Sequence, residues 1–195
     1  MIVRPLIARA YWAFSRFSVK SQPPPAEGSA VLIGAPHTSN WDLVLMLVIC
    51  WREGFSPMWL GKHTIFKAPF GGLMRALGGV PVNRANPGRL VADIVEKVST
   101  GRHFLVIAPE GTRKAGKLWK SGFYRIARDA NLPVVLGYVD SATRTAGLGP
   151  TIHLTGDVAA DMDKLRAFYA DKVGIRPEGT TEPRLREELT RGDSI

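Results

Sequence analysis

Short apolar segments that alternate with helical ones predict an α/β fold. The expected form is a single layered domain with a central mixed, largely parallel sheet flanked by helices, preceded by an amphipathic N-terminal helix. Length and composition agree: 195 residues, 45% hydrophobic and 22% charged, suit one domain with one well-buried core and rule out global disorder. No stretch reaches the roughly 18 apolar residues of a membrane span; the longest run, Leu43 to Trp51, has nine.

Taken in order, residues 1–20 read as the amphipathic helix. Val3, Leu6, Ile7, Ala10, Ala13, Phe14 and Phe17 fall on one face, Arg9, Arg16 and Lys20 gather along its edge, and no acid interrupts them. That pattern suits a helix lying at a lipid interface and equally one packed on the domain. Residues 21–28, rich in Pro and polar side chains, form a linker. The main domain is expected over 29–175, with strand candidates at Ala30–Ala35, Pro57–Leu60, His103–Ala108, Leu132–Val139 and Thr151–Thr155, and with Val80 and Val82 flanking Pro81 in an extended segment. Helices are expected at Trp41–Trp51, within Phe66–Leu77, from Pro87 to about Gly101, at Gly122–Ala130 and around Asp161–Val173. Residues 176–195 form a charged tail laid on the surface.

Charge narrows the partners. Twenty-six Lys and Arg against seventeen Asp and Glu leave a formal +9, which points to an anionic partner. Residues 161–195 hold seven bases and eight acids, so the surplus lies in residues 1–160. Arg102, Arg113, Lys114, Lys117, Lys120, Arg125 and Arg128 surround a lone acid, Glu110, and read either as an anion-binding mouth or as a solvated basic surface. No zinc-finger spacing, RRM-like aromatic motif or helix-turn-helix pattern supports nucleic-acid binding. Single Cys50 excludes an intramolecular disulfide and, inside an apolar run, reads as a buried thiol. No spacing of His, Asp, Glu or Cys compels a metal site.

Three constellations carry chemistry. In His37-Thr38-Ser39-Asn40-Trp41-Asp42 a continuous helix would set His37 and Asp42 about 140° apart, whereas a strand-to-helix turn lets them converge. Asp42 then accepts from one imidazole nitrogen and leaves the other as a general base. Ser39 and Asp42 also have the spacing of a helix capping box, so a purely structural role stays open. In Pro109-Glu110-Gly111-Thr112-Arg113, at a strand end, Glu110 suits a substrate hydroxyl or a cationic neighbour and Arg113 suits phosphate; an ordinary surface turn is the alternative. In Gly78-Gly79-Val80-Pro81-Val82-Asn83-Arg84 a Gly-rich reversal delivers Arg84 from an extended segment. Nucleotide-binding glycine spacings are absent from both Gly-rich segments.

The ordered set His-x4-Asp, Gly-x-x-Val-x-Arg and Glu-Gly-Thr-Arg, spread over roughly residues 30–140, resembles the glycerolipid acyltransferase family, in its short bacterial form, whose members include lysophosphatidic acid and glycerol-phosphate acyltransferases. The resemblance implies transfer of a fatty acyl group from acyl-CoA or acyl carrier protein to a hydroxyl of a phosphorylated glycerolipid, 1-acylglycerol-3-phosphate being favoured. A different lipid alcohol as acceptor and a non-catalytic basic lipid-binding module remain the alternatives. It assigns His37 and Asp42 to catalysis, and Arg84, Glu110, Gly111, Thr112 and Arg113 to the acceptor and its phosphate. Leu132 and Pro133 fall in the acyl-donor region. The thioester is a co-substrate, with no cofactor or metal. The implied partners are a lysophospholipid or related acceptor, the thioester carrier and an anionic membrane surface, which puts the chain in the cytoplasm, peripheral on the inner face of the cell membrane. Asn83 departs from the acid frequent there in related short sequences. For the tetrahedral oxyanion, backbone N–H groups near the start of the helix after His37 are the expected donors.

Overall fold

The structure is a computed structural model that describes residues 3–82 and 87–189. In chain order its elements are α1 (Val3–Phe14), β1 (Ser18–Val19), β2 (Ala30–Ala35), α2 (Trp41–Arg52), β3 (Pro57–Lys62), α3 (Gly71–Ala76) and β4 (Gly79–Val82). There follow α4 (Pro87–Ser99), β5 (Phe104–Ile107), α5 (Gly122–Asp129), β6 (Val134–Asp140), β7 (Thr145–Ile152), α6 (Val158–Tyr169) and α7 (Arg186–Leu189). Short 3-10 turns span His63–Phe66 and Pro177–Gly179.

The strands form one sheet in the order β1-β7-β6-β2-β5-β3-β4. Every neighbouring pair is parallel except β6 and β7, which is the mixed, largely parallel sheet expected. Central strands such as Ala30–Ala35 are covered on both faces and so read as unbroken apolar runs. On one face Val91, Ile94 and Val98 of α4, Phe123 and Ile126 of α5 and Met162 and Leu165 of α6 pack on Val31, Ile33, Leu105 and Leu136. On the other, Leu45, Ile49 and Cys50 of α2 cover Ala30, Leu32, Phe104, Val106, Val135 and Val139. Helix α1 lies outermost, against α2.

Because β2, β3, β4 and β5 run in one direction, their carboxyl ends share an edge, the usual place for a ligand crevice in an α/β sheet. That edge carries His37 after β2, Lys62 at the end of β3 and Glu110 after β5. Arg84, just beyond β4, lies outside the described residues, as does Asn83.

Three expectations are corrected. The last strand covers Thr145–Ile152, whereas Thr151–Thr155 was expected. Gly147, Gly149 and Pro150 mask it in the sequence, since all three normally weaken a strand. Close neighbours demand both glycines: a Cβ on Gly147 would lie 2.0 Å from the Lys20 carbonyl oxygen beside β1, and one on Gly149 would lie 2.3 Å from the Phe168 ring. The final long helix starts and ends earlier than expected, capped by the Asp157 carboxylate, which accepts the Ala159 and Ala160 N–H groups at 3.2 and 3.4 Å. The tail is not merely laid on the surface: Gly179, Thr181 and Leu185 are buried, and Thr181 accepts from the Trp119 indole at 3.1 Å and from the Gly116 N–H at 2.8 Å.

Helix α1 answers the question its sequence left open. It packs on α2 through Ala8, Tyr11 and Trp12, while Val3, Leu6, Ile7, Ala10, Ala13 and Phe14 of the expected apolar face point outward. No helix of the described residues is long and apolar enough to cross a membrane.

Candidate active site

The turn from β2 into α2 brings His37 and Asp42 together, with His37 Nδ1 3.1 Å from Asp42 Oδ2. The same Asp42 oxygen accepts the Thr38 and Ser39 N–H groups, each at 2.7 Å. One carboxylate therefore both ties down the turn and pairs with the imidazole. The carboxylate ties down the turn, sits in the first turn of α2 where the helix dipole favours a negative charge, and fixes the imidazole with Nε2 free. Ser39 contributes its hydroxyl, which accepts the Trp41 N–H at 3.2 Å.

Glu110 takes a different position from the one its motif implies. It is 3% exposed and its Oε1 accepts the His37 N–H at 2.9 Å, while its Oε2 is buried without a hydrogen-bond partner. It thus holds the histidine's main chain from behind. Burial pushes its carboxyl up to about 7, against the opposing pull of the His37 N–H. The folded protein therefore retains a proton that the unfolded chain releases near its ordinary value of about 4.3. Stability from this group is complete below that value and is lost as pH rises through 7, by on the order of 3 kcal/mol. Denaturant unfolding at pH 5 and pH 8 checks this: wild type is expected to lose that amount relative to Glu110→Gln as pH rises, and an unchanged difference would refute it.

These hydrogen bonds also narrow the oxyanion donors expected near the helix start. The N–H groups of His37, Thr38 and Ser39 are already engaged by Glu110 and Asp42, so none of them is free for a substrate.

His37 and Asp42 open on a cavity of about 650 Å³ between the sheet and α2, within the roughly 300–1,000 Å³ of small-molecule sites. Leu43, Met46, Ile49 and Cys50 of α2 form one wall, and Leu32, Gly34, Val106, Gly137 and Val139 of the sheet form the other. Gly34 makes room: a Cβ there would meet only the Val106 side chain, at 3.9 Å. Neither Gly34 nor Gly137 drew notice as a site residue in the sequence, and no motif marks them. Buried Cys50 lines this wall, its thiol pushed up by desolvation and poorly suited to act as a nucleophile.

The mouth is cationic. Lys62, Arg113, Lys114 and Arg176 line the cavity together with Gly111 and Thr112, and among the described residues the only acid on its wall is Asp42. Gly111 has φ +69°, the left-handed geometry that turns the chain away from buried Glu110 towards the exposed Thr112 and Arg113. Of the seven bases grouped in the sequence around Glu110, only Arg113 and Lys114 line the cavity. Arg102 lies before β5, stacks on Phe104 and donates to the Pro25 carbonyl. Leu132 and Pro133 are likewise not brought to the site. They precede β6, where the Pro133 carbonyl accepts the Val31 N–H at 3.0 Å, at the end of the sheet away from His37. Among the described residues no group of three or more His, Cys, Asp or Glu could hold a metal ion.

The acyltransferase family model matches residues 16–136, well over half of the chain. No curated protein sequence matches. Among solved structures the chain is similar to the 1-acyl-sn-glycerophosphate (LPA) acyltransferase PlsC from Thermotoga maritima, with a TM-score of 0.59 over 86% of this chain and 74% of that one. At 15% identity that likeness speaks for the fold. With the family model spanning both the His-x4-Asp and the Glu-Gly-Thr-Arg segments, the chain belongs to the acyltransferase family.

Proposed function

We propose that this protein transfers a fatty acyl group from an acyl-CoA or acyl carrier protein thioester to the hydroxyl of a phosphorylated glycerolipid, 1-acylglycerol-3-phosphate. The observation that carries the reading is a His37–Asp42 pair set between an apolar cavity and a cationic mouth. The cavity suits a long acyl chain, whose burial contributes about 0.8 kcal/mol per methylene. Basic side chains at the mouth suit a phosphate. Arg84 is proposed to join them.

In the reaction, His37 Nε2 takes the proton of the acceptor hydroxyl as its oxygen attacks the thioester carbonyl carbon. Asp42 stabilises the imidazolium that forms. The tetrahedral intermediate collapses, the C–S bond breaks, and the thiolate leaves with the proton that His37 returns. Transfer is direct, which the inert setting of Cys50 supports. Mass-spectrometric product analysis with a panel of thioesters and lipid alcohols tests the proposal. The expected result is a diacyl phosphorylated product and one released thiol per ester. Thioester hydrolysis alone, or no turnover with any phosphorylated acceptor, would reject it.

An anionic membrane, on the cytoplasmic face where such thioesters are supplied, is the proposed working surface. Among the described residues, eight of the nine large hydrophobic side chains that stand exposed lie on α1, at the start of α2 or in the segment 65–73. These include Trp41 at 63%, Phe70 at 65% and Leu73 at 54% exposure. The two outer elements adjoin, since Arg4 of α1 donates to the Ala76 carbonyl at 3.0 Å. No Asp or Glu occurs in residues 1–26 or 54–92, so the chain segments that carry α1 and the 65–73 part of this surface hold cations and no acids. Replacing Phe70 and Leu73 together by Ser is expected to weaken binding to phosphatidylglycerol vesicles about tenfold or more, since each buried side chain of that size is worth about 1.5–3 kcal/mol. Co-sedimentation measures it, and unchanged binding would move the contact elsewhere.

A further inference from the structure

The segment after α6 packs against the active-site turn at Thr38. Thr38 follows His37 directly, is 1% exposed, and offers its hydroxyl to the Arg176 N–H at 3.0 Å. Two glycines let the segment press against it. A Cβ on Gly174 would lie 2.6 Å from Thr38 Cγ2, and one on Gly179 would lie 2.6 Å from the Arg113 carbonyl oxygen and 3.3 Å from Thr38 Cβ. Ile175 packs into the core beneath α2, and the Gly179 N–H closes the turn on the Arg176 carbonyl at 3.0 Å. The main chain at Arg176 is therefore hydrogen-bonded to the turn that carries His37, and, three residues on, Gly179 presses against the one that carries Arg113.

Arg176 itself is exposed and lines the catalytic cavity. Among the described residues it makes no ion pair, while Asp42 and Glu110 are committed to His37 and its turn. A side chain with forked donors, anchored at its backbone, unpaired, and placed beside Arg113, Lys114 and Lys62, is arranged to receive a phosphate. It lies beyond the residues 16–136 that the family model matches, in a stretch whose sequence shows only mixed charge.

We propose that Arg176 is a substrate-binding residue contributed by the C-terminal segment, taking a phosphate group of the acceptor or of the thioester carrier at the cavity mouth. The proposal rests on the acyl-transfer reading above.

Steady-state kinetics of wild type, Arg176→Ala and Arg176→Lys test it in two arms. One compares a monoacylglycerol phosphate with the uncharged monoacylglycerol; the other compares acyl-CoA with acyl-pantetheine, which lacks phosphate. Arg176→Ala is expected to raise KM about tenfold to a hundredfold for the phosphate-bearing member of one arm, with kcat changed less and its phosphate-free counterpart unaffected. Arg176→Lys should recover part of the loss, and the arm that responds identifies whose phosphate is bound. Equal losses in all pairings, or none, with an active wild type and an unchanged melting temperature, would overturn the proposal while leaving acyl transfer in place. A wild type inactive in every pairing would remove the acyl-transfer reading, and this proposal with it.

Discussion

Replacing His37 by Ala is expected to lower acyl transfer by about two to four powers of ten, the range for loss of a positioned general base. The imidazole is partly exposed at the cavity mouth and meets Asp42, while the His37 main-chain N–H that Glu110 accepts is kept in alanine, so thermal unfolding and vesicle binding should stay near wild type. Asp42→Asn serves as the companion. Asn keeps an oxygen for the Thr38 and Ser39 N–H groups but removes the charge that stabilises the imidazolium, so turnover should fall about a hundredfold or more with little loss of helix content. Near-normal turnover in His37→Ala would end the catalytic assignment. Matched losses of activity and stability in Asp42→Asn would reduce that carboxylate to a cap.

Replacing Gly34 by Leu is expected to change which chains the enzyme accepts. Gly34 has ordinary strand geometry, and its missing side chain leaves space whose nearest atom is 3.9 Å away. Leucine's remaining carbons extend into the cavity where the acyl chain is proposed to lie. Displacing about four methylenes at about 0.8 kcal/mol each forfeits about 3 kcal/mol, or two powers of ten. A hexadecanoyl thioester should therefore lose about a hundredfold in kcat/KM, whereas a butanoyl or hexanoyl thioester stays within about threefold. Parallel losses on long and short chains would show a damaged fold; equal retention would place the chain elsewhere.

Much of this arrangement was legible beforehand where local rules govern it. Unbroken apolar runs such as Ala30–Ala35 marked buried parallel strands, because a strand covered on both faces has no polar side to show. The spacing of Leu90, Ile94 and Val98 marked α4. Strand β7 was shifted because its glycines answer to the Lys20 carbonyl and the Phe168 ring, partners that no local pattern reveals. For the same reason Arg176 passed as one charge among fifteen in residues 161–195, and Glu110 passed as a ligand although it is buried.

By itself the sequence determined the order of the elements from β2 to α6, the family, and the pair His37 and Asp42, since these rest on periodicity and on residue types at short spacings. Only the tertiary structure decided that Glu110 faces the histidine's backbone, that α1 turns its apolar face outward, and that a glycine-floored cavity meets a mouth to which the C-terminal segment adds Arg176. Those features depend on contacts between residues far apart in the chain, and burial and charge at such contacts are properties of the packed molecule.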